Sequence, residues 1–441
     1  MPTSLSYARA ASPDGRRRAG AALALTAVLA MLAGCAAPAP DVAARAAPAA
    51  PKPPHEALAL DDAVTAMTVA MLDQARLDQP GAERRALVID PLIDRATGNE
   101  AVATRSMDAR IKAVLHDRFP QVEPLPFDDA SLAQQPLVLA GSITTVAGPG
   151  VIPPSTSGPA TTYRIWASLA DLKTGRIVAH ETAWVRADSV DMTPTSFYRD
   201  SPTWAADPAM AAYLKVCAST PGQPIAPAYL DGLKAAAAVS GGVQAYESGH
   251  YGDALRYYQE AKSLPAANQL QVYNGMYLAD QALGRKRAAA EAFGQLVDYG
   301  LDHGKLAVKL VFLPASTRFW PDPAISGSYP VWLREIATRT AAKDACLRIA
   351  GHTSPTGTAM ANEALSAARA RVVRRRLVQR EAVLSGRTEA VGRGSSEVLV
   401  GTGRDDATDV LDRRVEFQPI ACGTVVSASA EGAQHAGRPY E

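Results

Sequence analysis

Two stretches of this 441-residue chain carry side chains whose types and spacing suit chemistry. The first is Gly351-His-Thr-Ser-Pro-Thr-Gly357, followed by Asn362 and Arg369. A guanidinium such as Arg369 grips a carboxylate through two parallel hydrogen bonds. Backbone N–H groups at a helix start hold a carboxylate too. Gly351 and Gly357 would let backbone approach a ligand closely, and Thr353 and Ser354 offer hydroxyls that both donate and accept. The second stretch is Leu32-Ala33-Gly34-Cys35. Small residues suit a peptidase with tight subsites, and the thiol behind them is available for acylation.

No nucleophile, base and orienting group come together along the chain, so no enzyme and no catalytic residue is expected. His55, His116 and His180 stand apart, with no metal-ligand spacing; no metal and no cofactor is expected. Asp90 ends an apolar run and reads as a strand-terminal Asp in a turn. The chain carries 45 basic and 44 acidic side chains; residues 1–34 hold four Arg and one Asp, which leaves 41 and 43. That near balance speaks against a nucleic-acid protein.

The elements around Cys35 are an export signal. Arg16, Arg17 and Arg18 form a basic start, and residues 20–34 an apolar run too short to span a bilayer comfortably. Leu-Ala-Gly-Cys resembles the bacterial lipobox, which implies cleavage after residue 34 and lipid on Cys35. Ala36 in place of Asp then implies sorting to the outer membrane, facing the periplasm. Residues 35–59 are rich in Ala and Pro and read as an extended tether.

Residues 60–218 read as an α/β sandwich. Val64, Met67, Met71 and Leu72 mark a first helix, and Met107, Ile111, Val114, Leu115 and Phe119 a second. Strands are expected at 86–91, 136–146, 162–169 and 176–185, the last two as a hairpin around Asp171–Gly175. The run VIDPLIDRATG, the later LVLAGSI and YRIWASLADLKTGRIVAHE resemble the periplasmic lipoproteins that activate penicillin-binding proteins and the curli-assembly lipoproteins. That resemblance implies protein contact. Residues 186–226 read as an irregular connector packed on this domain.

Residues 229–304 read as helices with an internal period. Aligning Ala254 with Ala288 gives an offset of 34 residues and puts Tyr258 on Ala292. This is similar to the tetratricopeptide repeat. Two repeats are fewer than a free-standing array needs, so the pair must lean on a neighbour.

Residues 305–422 must position the first motif. A strand at 308–312, a helix through 331–336, a strand at 347–350 and a helix with Leu365, Ala368, Val372, Val373 and Leu377 on one face precede the closing strand Asp412–Phe417. Gly351, Thr353, Gly357, Asn362, Leu365-Ser366, Arg369-Ala370, Gly392-Arg393-Gly394 and Arg413-Arg414-Val415-Glu416 together resemble the OmpA-like peptidoglycan-binding domain. The resemblance implies a βαβαββ fold and a cell-wall stem peptide as ligand. It implies Thr353, Ser354, Asn362, Arg369 and Arg414 as the binding residues. One departure matters: the family carries Asp where Ser354 stands, with the same 15-residue spacing to Arg369. That Asp is the implied partner of the diaminopimelate amine, and Ser354 brings no charge. Arg371 and Arg374–Arg376 read as a solvated helix face. If the strands at Cys346 and before Cys422 pair antiparallel, the two cysteines meet and a disulfide would staple the domain. Residues 423–441 read as a disordered tail.

The expected architecture is multidomain α/β and α+β: lipid anchor, tether, α/β sandwich, tetratricopeptide-like pair, OmpA-like domain. The expected function is an outer-membrane lipoprotein that binds peptidoglycan and recruits an envelope protein. The alternative is an accessory regulator of a peptidoglycan synthase, or a part of a secretion or surface-assembly machine.

Overall fold

The structure is a computed structural model that describes residues 57–77, 84–146, 162–204, 207–265, 269–313, 315–398 and 412–425. The expected signal segment, Cys35, most of the tether and most of the tail lie outside the described residues. Among the described residues, no helix is long and apolar enough to cross a membrane.

The chain opens with α1 (Leu60–Gln74), β1 (Arg85–Ile89), β2 (Ile93–Asp94), α2 (Val102–Arg118), β3 (Val122–Leu125) and α3 (Asp129–Leu132). Three long strands follow: β4 (Leu137–Val146), β5 (Thr162–Asp171) and β6 (Arg176–Arg186). They form one sheet in the order β3-β1-β4-β5-β6, with β2 pairing β4. β1 runs parallel to both β3 and β4, and β4, β5 and β6 are antiparallel. Alternation along β4 decides the layers. Leu137 and Leu139 join a core with α1 and α2, whereas Val138 and Ala140 join a second core on the opposite face. Both faces of the sheet are therefore covered, giving three layers.

The second face is covered from the segment that read as an irregular connector. That reading is corrected: residues 196–217 hold α4 (Ser196–Asp200), β7 (Thr203–Trp204) and α5 (Pro208–Cys217). Asp207 caps α5 through Met210 N at 2.7 Å, and Pro208 stands at the first turn, a helix-start signal. Tyr213 of α5 donates from Oη to the carbonyls of Pro91 and Gly141. Val216 and Cys217 complete the contact with the sheet.

Four helices come next: α6 (Pro227–Glu247), α7 (Tyr251–Ser263), α8 (Leu270–Ala282) and α9 (Lys286–Asp302). Each packs on the one before it. The internal period is 35 residues, not 34. Ala254 and Ala289 are buried while Ala288 is exposed, and Tyr258 corresponds to Phe293, both fully buried. Gly249 and Gly284, also 35 apart, take φ of +76° and +71° at the turns before α7 and α9. The sequence alignment slipped because residues 288–290 are all Ala and carry no register of their own. Tyr258 is the keystone: a Cβ at Gly242 would stand 2.6 Å from its ring, and one at Gly275 2.3 Å. Only glycine lets α6 and α8 close on it.

The last part runs β8 (Leu306–Val308), α10 (Pro323–Ser326), α11 (Tyr329–Ala342), β9 (Cys346–Gly351), α12 (Ala359–Arg380), β10 (Thr388–Gly392) and β11 (Val415–Ile420). The sheet order is β10-β9-β11-β8-β7, so Thr203 and Trp204 supply its edge strand. This sheet does not own its core. Val308, Val373, Val415 and Phe417 belong to one cluster with Tyr258, Phe293 and Trp332. Trp332 of α11 stacks on Phe293 at 5.3 Å and donates to Tyr277 Oη at 2.9 Å.

Candidate functional site

The turn between β9 and α12 gathers three of the expected site residues. Asn362, in the first turns of α12, donates from Nδ2 to the carbonyls of Ser354 at 3.4 Å and Thr356 at 3.0 Å. Ser354 Oγ lies 3.0 Å from Thr356 Oγ1. Thr353 is held by its backbone N–H on the Gly394 carbonyl at 2.9 Å. Its hydroxyl is buried and has no hydrogen-bond partner among the described residues. Thr358 caps α12 by accepting from Ala361 N, and the first turn of the helix holds no acidic residue. The positive end of a 22-residue helix thus meets the turn.

The glycines of the motif do something other than expected. A Cβ on Gly351 would lie 2.2 Å from the Ser366 carbonyl, and one on Gly392 2.5 Å from that of Glu363. These glycines let α12 lie directly on β9 and β10. Gly357, with φ +95°, makes the turn itself. Ser366 ties the pieces together, accepting from Gly394 N at 2.9 Å and donating to the Glu363 carbonyl at 2.8 Å.

Arg369 lies on the same helix and is buried. Its Nε donates to the Ser316 carbonyl at 3.0 Å and its Nη2 to that of Leu313 at 3.2 Å, with the Phe312 ring 4.9 Å below. It therefore pins Leu313 and Ser316 to α12. Arg374, which read as solvated, is corrected as well: it donates to Thr388 and to the Ser385 carbonyl, fastening the chain after α12.

Arg414 stands just ahead of β11, where its carbonyl accepts from His352 N at 3.0 Å. Its guanidinium meets the fully buried Glu416 carboxylate at 2.7 Å. Glu416 also takes Lys305 Nζ at 2.9 Å, and His352 Nε2 lies 3.5 Å away. Burial alone would raise the Glu416 carboxyl; the His352 contact and the Arg414 and Lys305 charges outweigh it and hold it well below the carboxylate range. His352 is pushed down by burial, against the pull of Glu416. Sequence reading missed this network, although His352 stood inside the quoted motif. Its signal was the alternation of Arg414 and Glu416 about Val415. His352, Glu397 and Glu416 bring one possible ligand atom each within 4.8 Å of one another. A metal there would compete with two cations already on Glu416.

Cys346, the first residue of β9, stands opposite Ile420 in the antiparallel register with β11. The register brings Cys422 alongside, and the two form a disulfide across 76 residues. Cys217 is buried and unpaired, and burial pushes its thiol up. Cys35 lies outside the described residues.

Residues 324–409 match the OmpA family. The matched residues include the turn, α12, Arg369 and Gly392–Gly394, but neither Arg414 nor the closing strand. The module is non-catalytic, in line with the expectation that the chain is no enzyme. Solved structures similar to the chain include the peptidoglycan-associated lipoprotein from Burkholderia pseudomallei. It is 24% identical with TM-score 0.21, and the match covers 26% of this chain and 90% of that one. The cell wall anchor of the T6SS from Pseudomonas aeruginosa is 26% identical with TM-score 0.22, over 26% and 80%. The periplasmic domain of Helicobacter pylori MotB is 20% identical with TM-score 0.22, over 26% and 76%. No curated protein matches the chain.

Proposed function

We propose that this chain is an outer-membrane lipoprotein, lipidated at Cys35, whose OmpA-like domain holds a peptidoglycan stem peptide in the periplasm. The observation that carries the reading is the buried Thr353 hydroxyl without a protein partner, in a turn closed by Asn362, within the residues that match the OmpA family. A buried hydroxyl left unbonded is costly, and a carboxylate or carbonyl of the stem peptide would complete it. The start of α12 adds a positive end without a competing acid.

Arg369 serves this site by holding Leu313 and Ser316 against α12 and by adding positive charge. Arg414 serves it by anchoring the start of β11 on Glu416 and by accepting from His352 N at the base of the turn. Ser354 offers a ligand amine no counter-charge. The site so read selects the carboxylate end of the stem peptide, with weaker hold on the amine. The helices α6–α9 resemble tetratricopeptide hairpins and, with the first sheet, form a body outside the wall site that would recruit an envelope protein. No nucleic acid is expected as a partner.

The test uses the mature chain with Cys35→Ser, because β7 comes from residues 203–204 and an excised C-terminal piece would lack its edge strand. It should sediment with isolated sacculi and be released by free stem peptide; Thr353→Val should weaken the binding. A folded chain that stays in the supernatant sinks the proposal. Mass spectrometry of the membrane-extracted protein should find diacylglyceryl on Cys35.

A further inference from the structure

Asp90 follows β1 at the carboxyl edge of the parallel strands, the edge where open α/β sheets bind ligands. It is buried, and its Oδ2 accepts from Tyr229 Oη at 2.7 Å. Among the described residues no cation pairs with it: burial pushes its carboxyl up to about 7, and the Tyr229 bond opposes that rise. Glu100, the second buried carboxyl nearby, is already paired with Arg105 at 2.8 Å. Both groups line one cavity of about 110 Å³ between β1, α5 and α6. Tyr198, Tyr213 and Tyr229 supply aromatic surface, and Met210, Leu233 and Val239 much of the apolar remainder.

An ionised carboxylate in apolar surroundings is costly unless a cation pairs with it. Aromatic faces around it favour an organic cation over a hydrated metal ion. The volume is comparable to cavities that take one small ring. We propose that this cavity binds a small organic amine, its ammonium group against Asp90 and its compact apolar body among the tyrosines and Leu233.

The test titrates the mature chain at pH 8, where Asp90 is ionised, with three ligands of one shape followed by NMR and calorimetry. Phenethylamine carries the cation, 2-phenylethanol is neutral, and 3-phenylpropionate is anionic. Phenethylamine should bind at least about tenfold more tightly than the alcohol. Asp90→Asn should remove that preference. Gly232 lines the cavity, and a Cβ there meets nothing nearer than Gln269 Nε2 at 4.0 Å. Gly232→Leu should therefore block the amine while circular dichroism and melting stay native, which keeps the test open if Asp90→Asn folds poorly. Equal binding of amine and alcohol overturns the proposal. So does tighter binding of the acid, a preference that survives Asp90→Asn, or no amine binding by about 10 mM, a level at which even a weak millimolar site would fill.

Discussion

Arg414 and Glu416 flank Val415 on one face of the chain entering β11, and guanidinium and carboxylate meet at 2.7 Å with both groups buried. Removing Arg414 leaves the buried Glu416 carboxylate with Lys305 and the His352 contact alone. Arg414→Ala should cost about 3–5 kcal/mol in chemical denaturation. The Glu416 carboxyl sits below its ordinary value of 4.5 in the folded chain. Its contribution is therefore full above about pH 4.5 and is lost as the pH falls further. Glu416→Gln should flatten the stability profile on that acid side, and an unchanged profile would refute the network.

Ser354→Asp places a negative charge in the turn between β9 and α12. Sedimentation with diaminopimelate-containing sacculi should rise severalfold, on the order of one ion pair's worth of affinity. Sacculi whose free diaminopimelate amines have been acetylated should show less gain. No gain on either would mean that the turn does not face the ligand amine.

Tyr258 fills the space left by two glycines. Gly275→Ala places a methyl 2.3 Å from its ring and should destabilise the chain by about 1–3 kcal/mol. Tyr258→Phe should be neutral or mildly stabilising, because the Tyr258 hydroxyl is buried without a hydrogen-bond partner among the described residues. Thermal melts of the two variants decide between this packing and a looser helical stack.

Asp90 acts on stability with the opposite sign to Glu416. Its carboxyl ionises near 3.8 when unfolded and about 7 when folded. Between those values the unfolded chain sheds the proton first, so stability falls as the pH rises from about 4 to 7 and is level above. The total is on the order of 4 kcal/mol. Asp90→Asn should gain on the natural chain across that window, in urea titrations at successive pH values. A constant difference would show that burial does not set the Asp90 proton.

The fold was legible where periodicity was strong. The strands from 137 to 186 and, after Leu306, the helices and the strands β9 and β11 follow from alternation and helical spacing; β10 was implied by the family resemblance alone. What the sequence hid were contacts of high sequence separation. Thr203-Trp204 is too short to show a strand pattern, so its place beside β8 was invisible. The three-alanine run at 288–290 concealed the register of the helices. At the site, the grouping of Thr353, Ser354 and Asn362 was implied by the family resemblance. The attachment of Arg369 to the Leu313 and Ser316 carbonyls was not, because backbone acceptors leave no mark in composition.

The two residues of β7 change how the molecule carries force. A wall-binding sheet on a free linker would swing independently of what precedes it. Here its outer strand belongs to the segment between α4 and α5, and α5 is bonded to the first sheet through Tyr213. Tension applied at the α12 turn therefore passes into the first sheet through paired backbone as well as through the helices. Among the described residues, the two sheets therefore act as one strut rather than as hinged bodies.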